Sequence, residues 1–558
     1  MSGPKASSSL TRRHSECSQS GSEVSTLYVV SEDFVEPSAA KSSGISLLGN
    51  DGVVGFAPIV VSSFLPADQS ATERTALLSA SSDELTFDAP EKWTWRDLGR
   101  EAVVLGWLGV PMSVSYASKI LEILVPGMVL GRLGAEAIVT WALSNSIASF
   151  TATGPLLGLL SALDTLCSQA STGSSRPGLS GIYLQRCVLL CLVAFLPSAI
   201  LWWNIHPVLI YLKQDPAIIG MITRYLRYES ICFLFTIMFE AVKKFFIAQG
   251  FHYAISLIQT LNTPVNLVCT YVLVVHPTTS IGIVGIPASI AVANALGFLM
   301  AIVWFKAYGG SRGWTGLSWD AFRGWRQVAR LAIPGAFMTS SDVVVLSLMT
   351  MAASLLGPVT LASHAVAKMT MEMLGIVQLG LITVTANRVG NLLGLAQPHR
   401  ARNTAYAALL GGTGISVGLA TLFYTLRHKW SYIFNPDPQV NAVVQRLVPI
   451  LAVNLIFLVL ALLSKAVLGG QGRPKIGAYM HLVVYYLAVI PFGLFTLYCT
   501  TWGLTGLWTA LLLASSLMAS GLLYFVLHSD WSSEVRKCKT RLAHDEHYRL
   551  PPPDVASV

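Results

Sequence analysis

A few ionisable side chains stand inside long apolar stretches of this chain: Lys119, Glu122, Glu240, Asp342, His364, Lys368 and Glu372. A charge in such a setting is costly and is kept where it faces a cavity or a partner. The chemistry open to these residue types is ion exchange. A carboxylate held away from bulk water can take up and release a proton, and it can attract an organic cation. Asp342, eight residues after Pro334, is the leading candidate for proton coupling. Its neighbours Thr339, Ser340 and Ser341 offer a purely structural way of satisfying it. His364, Lys368 and Glu372 are spaced by four and share one helix face. Glu372 is thereby placed to assist Asp342, or simply to neutralise Lys368. Lys119 and Glu122 lie three apart, as a local ion pair or as cleft residues. Asn266 and His481 are further cleft candidates, with interhelical hydrogen bonding as the plainer role. Asp164 and Arg388 lie nearer helix ends, where bundle glue and loop anchoring are expected.

Other chemistries find little support. No HExxH or GxSxG arrangement is present, and the apolar stretches hold no nucleophile–base set. The eight cysteines show no CxxC and no Cys/His cluster, so neither a metal site nor a disulfide framework is expected. Cys167, Cys187, Cys191, Cys232, Cys269 and Cys499 read as small buried thiols. No cofactor and no nucleic-acid partner is expected.

The elements that must position these residues follow from composition. Of 558 residues 53% are hydrophobic and only 12% charged, and mean hydropathy is +0.59. A soluble domain carries about a quarter charged residues. The chain is therefore read as an all-α polytopic membrane protein in a lipid bilayer. Twelve spans of sufficient length are expected near 101–130, 137–160, 184–211, 221–249, 254–275 and 281–306, then 325–356, 361–390, 403–426, 440–468, 477–500 and 504–528.

The spans form two copies of one unit. Pro111 and Pro334, Leu133-Gly134 and Leu356-Gly357, Gln249-Gly250 and Gln471-Gly472, and Gly282 and Gly503 recur in order. The offset is about 222 residues throughout. Six spans per copy give both copies one orientation, as in duplicated transporters. The same offset makes Lys119 the counterpart of Asp342, so the two can face each other across a cleft. Domains are expected at 96–308 and 325–528, joined by a cytoplasmic linker at 309–324. A serine-rich segment, 1–95, is predicted to be a disordered cytoplasmic tail, and 529–558 a cytoplasmic C-terminal tail. With the N-terminus inside, basic residues such as Arg96, Arg186, Lys243, Lys244, Arg326, Arg400, Lys465 and Arg473 fall on the cytoplasmic side. Far fewer, among them Lys213, Arg224, Arg427 and Arg446, fall outside. Glu73-Arg-Thr-Ala-Leu77-Leu78 fits an acidic dileucine signal read by a sorting adaptor. It points to vacuolar or endosomal membranes, with the plasma membrane as alternative.

Three longer motifs carry a family likeness. Leu163-Asp164-Thr165-Leu166-Cys167-Ser168-Gln169-Ala170 ends the second span. Asn387-Arg388-Val389-Gly390-Asn391-Leu392-Leu393-Gly394 ends the eighth. Gly470-Gln-Gly-Arg473-Pro-Lys475-Ile-Gly477-Ala-Tyr479, with Tyr485-Tyr486 beyond, leads into the eleventh. From about residue 100 to 530 the chain resembles the multidrug and toxin extrusion (MATE) family of cation-coupled antiporters, and its tail looks like that of fungal members. The resemblance implies two six-helix lobes around a cleft, and export of organic, often cationic compounds in exchange for protons or sodium. It also implies a carboxylate at Asp342, which eukaryotic members carry. The pattern departs at Ser347, Met369 and Leu458, where the family often has acids, and at His364, usually a Gln. Related flippases of polysaccharides and lipids share the architecture and are the rival reading.

Overall fold

The computed structural model describes residues 94–547, apart from 132, 177, 309–312 and 435. The predicted tail, with Glu73, Leu77 and Leu78, lies almost wholly outside the described residues. All regular structure among the described residues is helical. The first half contributes α1 (Trp95–Leu130), α2 (Glu136–Gly173), α3 (Leu179–Trp203), α4 (Pro216–Ala248), α5 (His252–Val274) and α6 (Gly285–Ala307). The second contributes α7 (Trp325–Leu355), α8 (Pro358–Gly394), α9 (Pro398–Thr425), α10 (Pro438–Gly470), α11 (Pro474–Cys499) and α12 (Gly503–Leu527). Eleven of these are long and apolar enough to cross a bilayer by length and composition alone. The twelfth, α4, is 33 residues long. Its charges at Arg224, Arg227, Glu229, Glu240, Lys243 and Lys244 keep its hydropathy down, and Glu240 and Lys243 are buried in the protein instead of facing lipid.

The repeat anchors turn out to be the residues with special backbone duties. Asp215-Pro216 and Asp437-Pro438 start α4 and α10 in the same way. Each Asp side chain accepts from the amide two residues on, at 2.9 and 2.8 Å, and the following Pro needs no amide partner. Gly134 and Gly357 precede α2 and α8 with φ of 109° and 107°, a region closed to other residues. Gly250 and Gly472 turn the chain after α4 and α10, again with positive φ. The duplication is legible because these positions tolerate so few substitutes.

Several expected boundaries move. α2 and α8 run past 160 and 390 to Gly173 and Gly394, so the first two motifs lie at the helix ends where the sequence places them. The third span starts at Leu179 and stops at Trp203, and Ile205–Tyr211 is a separate turn. The C-terminal segment carries a helix, α13 (Trp531–His547), whose Val535, Cys538 and Leu542 are buried. Within the linker, Trp319–Phe322 forms a short turn held by the Arg176–Asp320 ion pair at 2.7 Å. Of the cysteines read as buried, Cys499 is exposed and Cys232 and Cys269 are half-buried.

Each half is a helical bundle, with α1, α4, α5 and α6 packed together in the first and α8, α10 and α12 in the second. The halves meet along α1–α8 and α2–α7. Small residues let these backbones approach, as in membrane bundles generally. A Cβ on Gly158 would lie 2.5 Å from the Ala336 Cα and from the Gly335 carbonyl oxygen. Gly380 meets Gly109 and Ser113 in the same manner on α1. Outward-facing Val193, Leu196 and Ile200 of α3 are exposed, as a lipid-facing surface requires.

Candidate functional site

The second half encloses a cavity of about 220 Å³ that gathers Asp342, Lys368, Glu372, Asn454, Lys465, His481 and Tyr485. Asp342 lies midway along α7 and has partners from two other helices. Its Oδ1 accepts from the Tyr485 hydroxyl at 2.9 Å and lies 3.3 Å from His481 Nε2. Its Oδ2 lies 3.5 Å from Lys465 Nζ on α10. The local helix geometry explains this convergence. Leu482–Val489 adopts the wider π-helical turn, with His481 at its start and Tyr485 within it. Both side chains consequently reach one carboxylate. Such bulges concentrate at functional sites.

Across the cavity Lys368 and Glu372 form an ion pair one turn apart at 3.9 Å, and Glu372 remains half-exposed. Leu458 stands in the wall. Trp508, Met371 and Leu511 make the remaining wall apolar. The cavity thus joins a carboxylate, basic groups and an aromatic wall, suited to exchanging a proton with an amphipathic molecule.

The first half carries its own charge cluster at the matching place, with Lys119 where the second half has Asp342. Lys119 on α1 pairs with Glu240 on α4 at 2.7 Å, and Lys243 pairs with the other Glu240 oxygen at 2.5 Å. Lys243 also lies 5.8 Å from the centre of the Tyr116 ring. Glu122 accepts from Thr263 at 3.0 Å. At the repeat offset of about 222, Lys119 answers Asp342, Lys243 answers Lys465 and Thr263 answers Tyr485.

A second cavity, of about 180 Å³, lies between the halves, with Ser161, Asp164 and Thr165 on one side and Met338, Thr383, Lys465 and Gly477 on the other. Lys465 therefore lines both cavities. Asp164 is held by Lys244 at 2.5 Å and by Asn387 at 3.4 Å. A larger cavity of about 640 Å³ beside α3, α4 and α6 is almost wholly apolar.

Tyr485, beyond the third motif, lines the first cavity, but the remaining motif residues do not. They interlock at the end of the bundle that carries α13. Thr165 donates to the Gly469 carbonyl at 2.5 Å, Gln169 to Gly470 at 2.8 Å and Thr172 to Asn391 at 2.8 Å. Glu101 on α1 binds Arg388 at 2.7 Å and Arg400 at 3.1 Å. Asp545 of α13 accepts from Tyr183 at 2.6 Å and pairs with Arg186 at 3.3 Å. These contacts join the halves and close that end. Arg388 and Asp164 thus have the anchoring geometry read from their positions.

Of the residues singled out in the sequence, Asp342, Lys368, Glu372 and His481 come together. Thr339 and Ser341 bond to the backbone one turn back, not to Asp342. His364 leaves the face it shares with Lys368, bonds Thr350 at 3.1 Å and lies beside Trp508. Asn266 is buried in the first half on Thr270 at 3.3 Å. Lys119 and Glu122 do not pair with each other, because α4 and α5 offer each a closer partner. Lys119 and Asp342 are each engaged inside their own half. Lys465 and Tyr485 were missed as partners of Asp342. The repeat offset was the signal for Lys465, which it pairs with the intramembrane Lys243, and the spacing of four from His481 was the signal for Tyr485.

Comparison with known proteins agrees with this arrangement. A model of the MatE family matches residues 111–272 and 334–495, once in each half and each time starting at the repeated proline. An uncharacterized transporter of Schizosaccharomyces pombe is 29% identical over 83% of this chain and 85% of its own. Multidrug and toxin extrusion protein 1 of Xenopus tropicalis is 26% identical over 80% of this chain and 77% of its own. The crystal structure of the eukaryotic MATE transporter AtDTX14 matches with a TM-score of 0.74 at 24% identity. It covers 80% of this chain and 100% of that one.

Proposed function

This chain belongs to the MatE family of membrane efflux transporters, and we propose that it exchanges organic, often cationic compounds for protons by alternating access. Asp342 is the primary coupling carboxylate and Glu372 assists it. The observation that carries this reading is the position of Asp342 in the wall of a cavity, ringed by Lys465, His481 and Tyr485. A proton arriving from the acidic side removes the negative charge that a cationic substrate needs. The loaded half then repacks and releases its substrate. Two ligands that compete for one carboxylate are coupled without a longer pathway.

The cationic groups of the cavity bear on the flippase reading. Holding a lipid phosphate calls for several cations free to bind it. Lys368 and Lys465 both have carboxylate partners. The basic-residue bias supports both termini in the cytoplasm, and Glu73, Leu77 and Leu78 support delivery to vacuolar or endosomal membranes.

The test is transport by the purified protein in vesicles with imposed proton or sodium gradients. Asp342→Asn is expected to abolish pH-driven exchange of a fluorescent organic cation while the protein stays folded. Normal pH dependence in that variant refutes the mechanism. Flux driven by sodium alone refutes the proton assignment.

A further inference from the structure

The geometry points to a coupling proton shared between Asp342 and His481, a pair and not a lone carboxylate; this rests on the antiport reading above. The argument is one of donors and acceptors. His481 Nδ1 lies 2.7 Å from the Gly477 carbonyl oxygen, one turn back on α11. A carbonyl only accepts, so Nδ1 carries hydrogen. In a neutral ring Nε2 then presents a lone pair. That nitrogen lies 3.3 Å from Asp342 Oδ1. Ionised Asp342 and neutral His481 would set two acceptors against each other in a buried place. One proton between them resolves the conflict, whichever partner holds it more closely.

The surroundings fit one proton held between the two. The imidazole is 2% exposed and its ring stands edge-on to Tyr485, with centroids 5.2 Å apart. Every charged or titratable group facing the pair can be named. Tyr485 of α11 donates to the same Oδ1, and Lys465 of α10 sits on Oδ2. Lys368 and Glu372 of α8 line the same cavity, to which α12 contributes Trp508 and Ser515 but no charge. Asp342 and Glu372 therefore cancel Lys465 and Lys368 when the proton is absent. With the proton bound the cavity carries one net positive charge. A cationic substrate meets a neutral cavity in one state and a repelling one in the other. Exclusion needs no direct contact between substrate and His481.

The test uses His481→Gln in the full-length protein. Gln keeps a hydrogen-bond donor for Asp342 but cannot take a proton. The readout is the pH at which half of a bound fluorescent cation, ethidium, is released, with the melting temperature followed in parallel. The expected result is an unchanged melting temperature and a midpoint lower by about one pH unit or more, a tenfold loss of proton affinity. A midpoint that stays or rises overturns the shared proton. Asp342→Asn separates the two readings. Loss of pH-dependent release there, with a normal profile in His481→Gln, removes only the pair. Retained release in Asp342→Asn removes the antiport mechanism itself. Should His481→Gln fail to fold, nitrogen NMR of labelled histidine in the native protein decides. The His481 Nε2 resonance must change in step with probe release, and a resonance constant through that window overturns the pair.

Discussion

Replacing Lys465 by Met should tighten binding of an organic cation. The ammonium lies 3.5 Å from Asp342 Oδ2, so it acts as a tethered cation on the atom a substrate would seek. At an effective dielectric of about 20, two unit charges at that separation attract by about 5 kcal/mol. Both groups face the cavity, with Lys465 24% and Asp342 35% exposed, so solvent screens the pair. A net effect on the order of 1–3 kcal/mol remains, or roughly 5- to 150-fold in a dissociation constant. Met keeps most of the side-chain volume, and Asp342 retains Tyr485 and His481, so the fold should survive. The assay is ethidium binding to the purified protein at a pH where release has not begun. Lys465→Met should lower the dissociation constant at least fivefold and slow turnover, because release becomes harder. Lys465→Arg should stay near the native value. An unchanged or weaker affinity in Lys465→Met refutes the tethered-cation argument.

Two further expectations follow from the joint between the halves and from the tail. Gly158→Val places a side chain against the Gly335–Ala336 backbone, which has no flexible end to yield. It should cost about 1–3 kcal/mol and lower the melting temperature, whereas Gly220→Ala, which meets nothing within 4 Å, should be close to neutral. Replacing Leu77 and Leu78 by Ala should redirect the protein from vacuolar or endosomal membranes to the cell surface. Imaging that finds the same location in the variant removes the sorting role.

Much of the architecture was legible because a few positions are intolerant. The glycines at 134, 250, 357 and 472 occupy backbone regions other residues avoid, so the repeat survives there while the apolar faces drift. Span ends were less legible. α2 and α8 continue through their polar motifs because those side chains bond the opposite half, and hydropathy does not register such partners. The charges show the same divide. Spacing by four placed Lys368 and Glu372 together. It did not reveal that His364 turns to Thr350 or that Lys119 reaches past Glu122 to α4. Lys465 was read as a basic residue near the cytoplasmic side, because charge bias along a chain says nothing about which helix lies opposite.

The duplicated unit has kept a charge pair between its first and fourth helices and the lysine at 243 and 465, but Lys119 stands where the second half has Asp342, and Glu240 where it has Leu462. In the first half the carboxylate, Glu240, is on the fourth helix and is gripped by two ammonium groups at 2.7 and 2.5 Å. Its side chain is 11% exposed. A proton reaching Glu240 must displace two short ion pairs in a place solvent scarcely enters. In the second half the carboxylate, Asp342, is on the first helix of the unit. It has one ammonium partner at 3.5 Å, a phenol and an imidazole, and 35% exposure to the cavity. Glu240 is thus held on both oxygens by short ion pairs, whereas Asp342 has one longer pair with a histidine beside it. On the antiport proposed above, exchange falls to the second half, while Lys119, Glu240 and Lys243 tie α1 to α4 in the first.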